Sequence, residues 1–340
     1  MPTSSGAPVV VVTGASAGVG RATALAFAER GAAVGLIARG HAGLKAAADQ
    51  ALERGAVAAL AVPADVADAD AVEAAAARIE AELGPIDVWV NNAMASVFAY
   101  TWDITPAEFQ RVTEVNYLGF VNGTLAALKR MRARNAGTIV QVGSALAYRA
   151  IPLQGPYCGS KHAIEGFTES LRVELLATHS DVRISQVNLP AMNTTQFGWV
   201  RTRLPRHPQP VPPIYQPEVG AAAIVRASET GQRLLDVGLI TVATRWANKF
   251  FPRVLDHYLA RNGVSGQQTG ENIDAGAWKD NLEKPLDETS DRGAHGIFDE
   301  RAKAHSWQAW AAGRKPLVLA GGAVLAAAGA QAMVLRSRRR

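Results

Sequence analysis

From Val9 onward the chain alternates short, wholly apolar runs with alanine-rich stretches of helical character. The runs "VVVVTG", "AVGLIAR", "AALAVPADV" and "IDVWVNNA" are separated by helical stretches at Arg21 to Arg30, Ala42 to Gly55 and Asp70 to Leu83. Strands alternating with helices of ten to fifteen residues predict βαβ units and a parallel sheet. Runs without polar alternation suit strands covered on both faces. The pattern continues through a long helix near Pro106 to Arg134, a strand "GTIVQVGS", a helix near Tyr157 to Thr178 and a strand "VRISQVNLP", giving six strands by Pro190. The expected class is α/β: a doubly wound parallel sheet in three layers.

Beyond Pro190 the signal changes. Residues 205–217 hold six prolines, which predicts an extended, flap-like loop without regular structure. A helix at Pro217 to Glu229 and a weak strand near Leu239 to Val242 come next. Residues 246–313, with Trp246, His257, Trp278, Trp307 and Trp310 scattered among charges, read as a C-terminal helical extension packed on a main domain of residues 8–245.

Hydrophobic residues make up 48% of the 340, ample for a large core. The net charge of +5 is local. Arg314, Lys315, Arg336, Arg338, Arg339 and Arg340 stand without an acid among them, leaving 29 basic against 30 acidic residues elsewhere. Such a body offers no phosphate-tracking surface, so nucleic acid is not an expected partner. The single cysteine, Cys158, excludes an internal disulfide and a cysteine zinc cluster; it suits a reducing cytoplasm, and no metal is expected. Met1 to Pro8 is short and polar, and Thr13-Gly14 breaks the next apolar run, so no secretory signal is expected.

In "VVVVTGASAGVGRATALAFAERG" a buried strand is followed by Gly14, Gly18 and Gly20 and then an amphipathic helix. A strand, a glycine turn and a helix N-terminus form a Rossmann-type pyrophosphate site, because glycine lets the backbone approach and the first helical N–H groups point at the anion. Ser16 and Val19 lie in the same turn. At the end of the next strand, "LIARG" offers Arg39 and no carboxylate. A planar cationic fork suits a ribose 2′-phosphate, with Ser16 able to add a hydroxyl, so NADP(H) is the expected cofactor.

"GSALAYRAIPLQGPYCGSKHAIEGF" places Ser144 at a strand end and Tyr157, Ser160 and Lys161 at the start of a helix. Four residues apart, Tyr157 and Lys161 share a helix face. A neighbouring ammonium lowers a phenol pKa towards the range useful for proton transfer, and Ser144 can donate to a substrate oxygen.

"TGASAGVG", "NNA" at 91–93, Asn116 in "VNYLG", Ser144 and "YCGSK", in this order over residues 8–245, resemble the short-chain dehydrogenase/reductase superfamily. The resemblance implies that Tyr157 is the general acid/base, that Ser144 polarises the carbonyl, and that Lys161 binds the nicotinamide ribose and lowers the tyrosine pKa. It further implies that Asn116 holds a water leading to Lys161, that Asp65 contacts the adenine, and that Asn91 stabilises the sheet beside the cofactor, with Ala93 and Pro190 near it. Two departures stand out: Met94 replaces the usual glycine of "NNAG", and Pro190-Ala191 replaces proline-glycine, leaving Thr194 or, preferably, Thr195 to meet the carboxamide. The expected activity is hydride transfer between NADP(H) and a carbonyl or secondary alcohol. A non-catalytic NADP(H)-binding regulator or scaffold at a membrane is the rival reading. In the flap, Phe197, Trp199 and Tyr215 suggest a lipophilic small molecule, while Arg201, Arg203 and Arg206 offer cations to an acidic group.

Leu317 to Leu335 are nineteen residues without a charge, followed by four arginines. As a helix they extend ~28 Å, near the hydrocarbon thickness of a bilayer. Seven alanines, three glycines and Gln331 make the segment weakly hydrophobic. Residues 316–335 are therefore a candidate membrane-anchoring helix, with a docked soluble helix as the alternative. Self-association into a homo-oligomer is left open.

Overall fold

The computed structural model describes residues 6–312. Seven strands form one sheet: β1 (Val9–Thr13), β2 (Ala33–Ala38), β3 (Ala58–Pro63), β4 (Ile86–Asn91), β5 (Thr138–Ser144), β6 (Arg183–Leu189) and β7 (Leu234–Asp236). Their order is β7-β6-β5-β4-β1-β2-β3, and every pairing is parallel. The helices are α1 (Gly18–Ala28), α2 (His41–Glu53), α3 (Ala69–Leu83), α4 (Pro106–Thr113), α5 (Gly119–Arg134), α6 (Gly155–Ala177), α7 (Pro217–Thr230), α8 (Leu239–Phe250) and α9 (Pro252–Asn262).

Alternation along β1 sorts the two cores. Val10 and Val12 pack with Phe27 of α1, Leu44 of α2 and Ile224 of α7. Val9 and Val11 pack with Ile79 of α3, Met131 of α5 and Leu171 of α6. Successive side chains of a strand point to opposite faces, so an all-valine strand feeds both layers. The strand order reverses direction between β1 and β4, and in such sheets ligands bind outside the carboxyl ends at that switch point.

The long helix expected near Pro106 to Arg134 is interrupted by a π turn at Glu114–Leu118 that carries Asn116. Leu239–Val242, read as a strand, instead begins α8; the last strand lies just before it. The proline-rich flap also acquires strands: Arg206–Pro208 pairs antiparallel with Gln268–Asn272, and Ile214–Tyr215 lies between Ala191–Met192 and Ala302–Lys303. Proline is tolerated in such short edge pairings because few ladder N–H groups are required. The extension is helical only through α8, α9 and a short Trp307–Ala312 helix; between them, residues 280–299 form a largely irregular strap laid back along the carboxyl end of the sheet. The candidate anchor at 316–335 lies outside the described residues, and no helix among the described residues is long and apolar enough to cross a membrane.

Candidate active site

A cavity of about 560 Å³ opens at the carboxyl ends of the strands. Its floor is the turn between β1 and α1. Gly14 and Gly18 adopt φ of +65° and +56°, which favours glycine, and a Cβ on Gly14 would lie 2.7 Å from the Ala93 Cα. Thr13 joins the two strand ends by accepting from the N–H groups of Asn92 (3.0 Å) and Ala93 (3.2 Å). Asn92 in turn donates to the Thr13 carbonyl at 3.0 Å. Ala17 gives α1 no side-chain cap, so first-turn N–H groups remain for an anion; that of Gly18 is taken by the Gly293 carbonyl at 3.3 Å. A backbone cradle with no room for side chains fits a dinucleotide pyrophosphate. Ser16 and Val19 line the cavity, whereas Gly20 does not: a Cβ there would meet the Gly14 carbonyl at 2.1 Å, so this glycine serves helix-to-turn packing.

Asn91 also faces away from the cavity. Its amide donates to Thr124 (3.0 Å) and Gln141 (2.9 Å) and its carbonyl accepts from Trp89 (2.8 Å), all among buried groups. Its neighbour Asn92 lines the cavity with Ala93 and Met94. The asparagine pair is visible in the sequence, but the strand's alternation, which decides which one faces the groove, is fixed only by register.

Ser144 ends β5, and its hydroxyl accepts from the Leu146 N–H at 3.1 Å. Tyr157 enters on the first turn of α6, behind Pro156, and lines the same cavity as Ser144. Burial pushes the Tyr157 phenol up to about 12, outweighing the opposite pull of the Ser144 hydroxyl. Lys161, one turn on, is buried; burial pushes its ammonium down to about 7. Its Nζ donates to the Val142 carbonyl at 2.8 Å and lies 4.6 Å from the Phe120 ring centroid and 5.6 Å from that of Tyr157. The expected lowering of the tyrosine pKa is therefore not found in this arrangement: desolvation dominates, and both groups are pushed towards their neutral forms. Asn116 is wholly buried and clamps the loop after β4. It accepts from the Ala95 N–H (2.7 Å) and donates to the Ala95 carbonyl (2.9 Å) and to Ser160 (3.1 Å).

Arg39, Asp65, Pro190, Thr194 and Thr195 also line the cavity. Arg39 does not present a free fork. It donates to the carbonyls of Leu282 (3.1 Å), Glu283 (3.1 Å) and Asn281 on the strap. Asp65 is paired with Arg111. The strap brings a carboxylate that sequence reasoning missed: Asp287 is buried, lines the cavity, lies against Gly40 and Gly43, and has an oxygen without a hydrogen-bond partner among the described residues. Nothing local in the sequence marks it, because its neighbours in space are some 250 positions away. Asp291 pairs with Arg21, and Glu288 with His41.

The opposite wall is apolar, with Met94, Leu146, Ile151, Phe197, Trp199 and Val200 among its residues. Tyr215 packs instead in the core beneath α7. Arg201 and Arg203 do not face a substrate: both bond Glu108, at 3.2 and 2.7 Å, and Arg201 also bonds Asp280. Cys158 is buried, with its thiol pushed up to about 11 by burial, an inert filler.

Residues 8–203 match the short chain dehydrogenase family model. The chain is 34% identical to the "Uncharacterized oxidoreductase YxnA" of Bacillus subtilis over 74% of its own length and 71% of that protein. It is 37% identical to the human "Dehydrogenase/reductase SDR family member 7" over 53% of each. Among solved structures, a short-chain dehydrogenase from Streptomyces avermitilis superposes with a TM-score of 0.63 at 28% identity, covering 76% of this chain and 97% of that one. An alcohol dehydrogenase from Thermococcus sibiricus, complexed with 5-hydroxy-NADP, gives 0.59 at 27%, covering 68% and 94%. With the glycine cradle, the reversed strand order and the Ser144–Tyr157 pair converging on one cavity, this chain belongs to the short-chain dehydrogenase family and is an oxidoreductase.

Proposed function

We propose that the protein interconverts a carbonyl and a secondary alcohol on an apolar small molecule, using a nicotinamide dinucleotide. The observation that carries this reading is that Ser144 and Tyr157 line one cavity between the glycine cradle and the apolar wall. The cradle of Gly14, Ser16, Gly18 and Val19 would hold the pyrophosphate, Asp65 and the loop after β3 the adenine end, and Pro190 with Thr195 the nicotinamide end. The cofactor supplies or accepts the hydride. Ser144 and Tyr157 donate hydrogen bonds to the substrate oxygen, and the Tyr157 proton passes to that oxygen as it gains charge. A phenol held neutral by burial is ready as an acid, which suits carbonyl reduction. Lys161, one turn away, stabilises the phenolate left behind, and Asn116 positions the loop facing it. Phe197, Trp199 and Val200 orient the substrate and exclude water.

The test is oxidation of NADH and NADPH with a panel of lipophilic ketones and aldehydes. Turnover abolished by Tyr157→Phe supports the enzyme; tight dinucleotide binding without turnover on any member favours the regulator reading.

The cofactor's phosphate state is the finer point. A free Arg39 would favour NADP(H), but the fork is engaged by three strap carbonyls and Asp287 sets a carboxylate beside Gly40. A carboxylate accepts from a ribose 2′-hydroxyl and repels a 2′-phosphate. The closed strap thus supports NAD(H); NADP(H) requires the strap to release Arg39 and withdraw Asp287. Paired dissociation constants for NADH and NADPH decide between them.

A further inference from the structure

We propose that the helix pair α8–α9 docks on an anionic phospholipid surface, with the substrate mouth facing the lipid. A soluble helix ordinarily turns its apolar stripe inward, yet α8 places Leu239, Ala243, Trp246 and Phe250 at spacings of four, three and four on its exposed side. Phe251, Val254 and Tyr258 continue the stripe onto α9. Trp246, Phe250, Phe251, Val254 and Tyr258 are each half exposed or more. A contiguous aromatic and aliphatic surface of this kind marks an interaction site.

Charge selects the occupant. Lys249, Arg253 and Arg261 are exposed and have no ion-pair partner among the described residues, while the single acid of the two helices, Asp256, is paired with Arg149. Arg245, the remaining cation, is held by Asp236. Apolar aromatic faces flanked by unpaired cations lie in the interface of anionic bilayers. A second copy is disfavoured, because a two-fold contact through this face brings its cations against one another.

Two further observations agree. The rim of the cavity is built from the same helices, with Ile240, Ala243 and Ala247 of α8 and Leu255, Tyr258 and Leu259 of α9 among its lining. The chain also leaves the described structure at this edge: Gln308 bonds the Asp236 carbonyl at 3.2 Å, two residues before the Gly238 that precedes α8. The sequence then runs into the uncharged stretch 317–335 and its four arginines.

The experiment labels the full chain as Val254→Cys with an environment-sensitive fluorophore; Cys158, the only natural cysteine, is buried. Vesicles of phosphatidylcholine alone or mixed with phosphatidylglycerol are added, with and without brominated acyl chains. The expected result is a blue shift and at least twofold quenching by brominated lipid. Replacing Lys249, Arg253 and Arg261 by serine is expected to require about tenfold more anionic lipid for half-maximal signal. A label that stays unquenched on floated protein shows attachment elsewhere and overturns the proposal. So does a label already blue-shifted without lipid, which shows the face covered by the chain's own tail or a second copy. The readout does not depend on turnover, so it fails or succeeds separately from the oxidoreductase reading.

Discussion

The Asp287 carboxylate lies so close to Gly40 that a Cβ on this glycine would fall 2.0 Å from its Oδ1. A residue of the strap thereby reaches the end of β2, where the adenosine ribose of a dinucleotide would lie. Two consequences concern the cofactor and the strap.

Asp287→Asn removes the repulsive charge and keeps the shape. The expected outcome is a shift of the NADH/NADPH affinity ratio towards NADPH by about tenfold, worth ~1.4 kcal/mol. Calorimetric titration of both dinucleotides checks it; an unchanged ratio shows that Asp287 does not read the ribose.

Gly40→Ala forces the carboxylate away, since the nearest atoms also include the Asp287 backbone. Overpacking of this kind costs about 1–3 kcal/mol. Faster proteolytic cleavage within 283–293 and a lower melting temperature are expected, and unaltered protection would show that the strap is not held there.

Tyr157→Phe deletes the proposed proton donor and leaves the cradle untouched. Turnover is expected to fall by about 10²–10⁴-fold while dinucleotide affinity stays within a few-fold. Activity close to that of the parent would sink the proposed mechanism.

Lys161 is buried with its pKa lowered from 10.5 to about 7. Between those values the unfolded chain binds the proton that the folded chain sheds, so stability of the cofactor-free protein rises with pH across about 7 to 10.5. Lys161→Met is expected to stabilise the fold by about 1–3 kcal/mol at pH 7, to flatten that dependence and to abolish turnover. Denaturant titrations at pH 7 and 9 measure it; a destabilised variant with an unchanged pH slope contradicts it.

Glu108 caps α4 and receives Arg201 and Arg203 from the flap. Burial alone would raise its pKa, but bonds from Arg203 and Thr105 outweigh that and hold it at about 2. A depressed carboxylate contributes stability that is present above its ordinary pKa of 4.5 and lost as pH falls through about 2. Glu108→Gln is expected to destabilise at pH 7 by about 1–3 kcal/mol and to converge on the parent at acid pH. A difference constant from pH 7 to 2 would count against this account.

By itself the sequence determined the βαβ alternation, the glycine turn and the Tyr157/Lys161 spacing. Apolar runs, turn glycines and a four-residue helical repeat act over a few positions and need no knowledge of the rest of the chain. α8 shows how far that reaches: a β-branched start, Leu239 to Val242, reads as a strand, and only its place after β7 and its continuing stripe make it a helix. Tertiary structure alone decided the other features. Which asparagine of 91 and 92 faces the groove depends on β4 register. The neutral tendency of Tyr157 and Lys161 comes from desolvation, which the spacing of two residues does not contain. The occupied fork of Arg39 and the carboxylate of Asp287 arise from a strap some 250 residues distant. Contacts at that separation depend on how the whole chain closes, and no local window carries them.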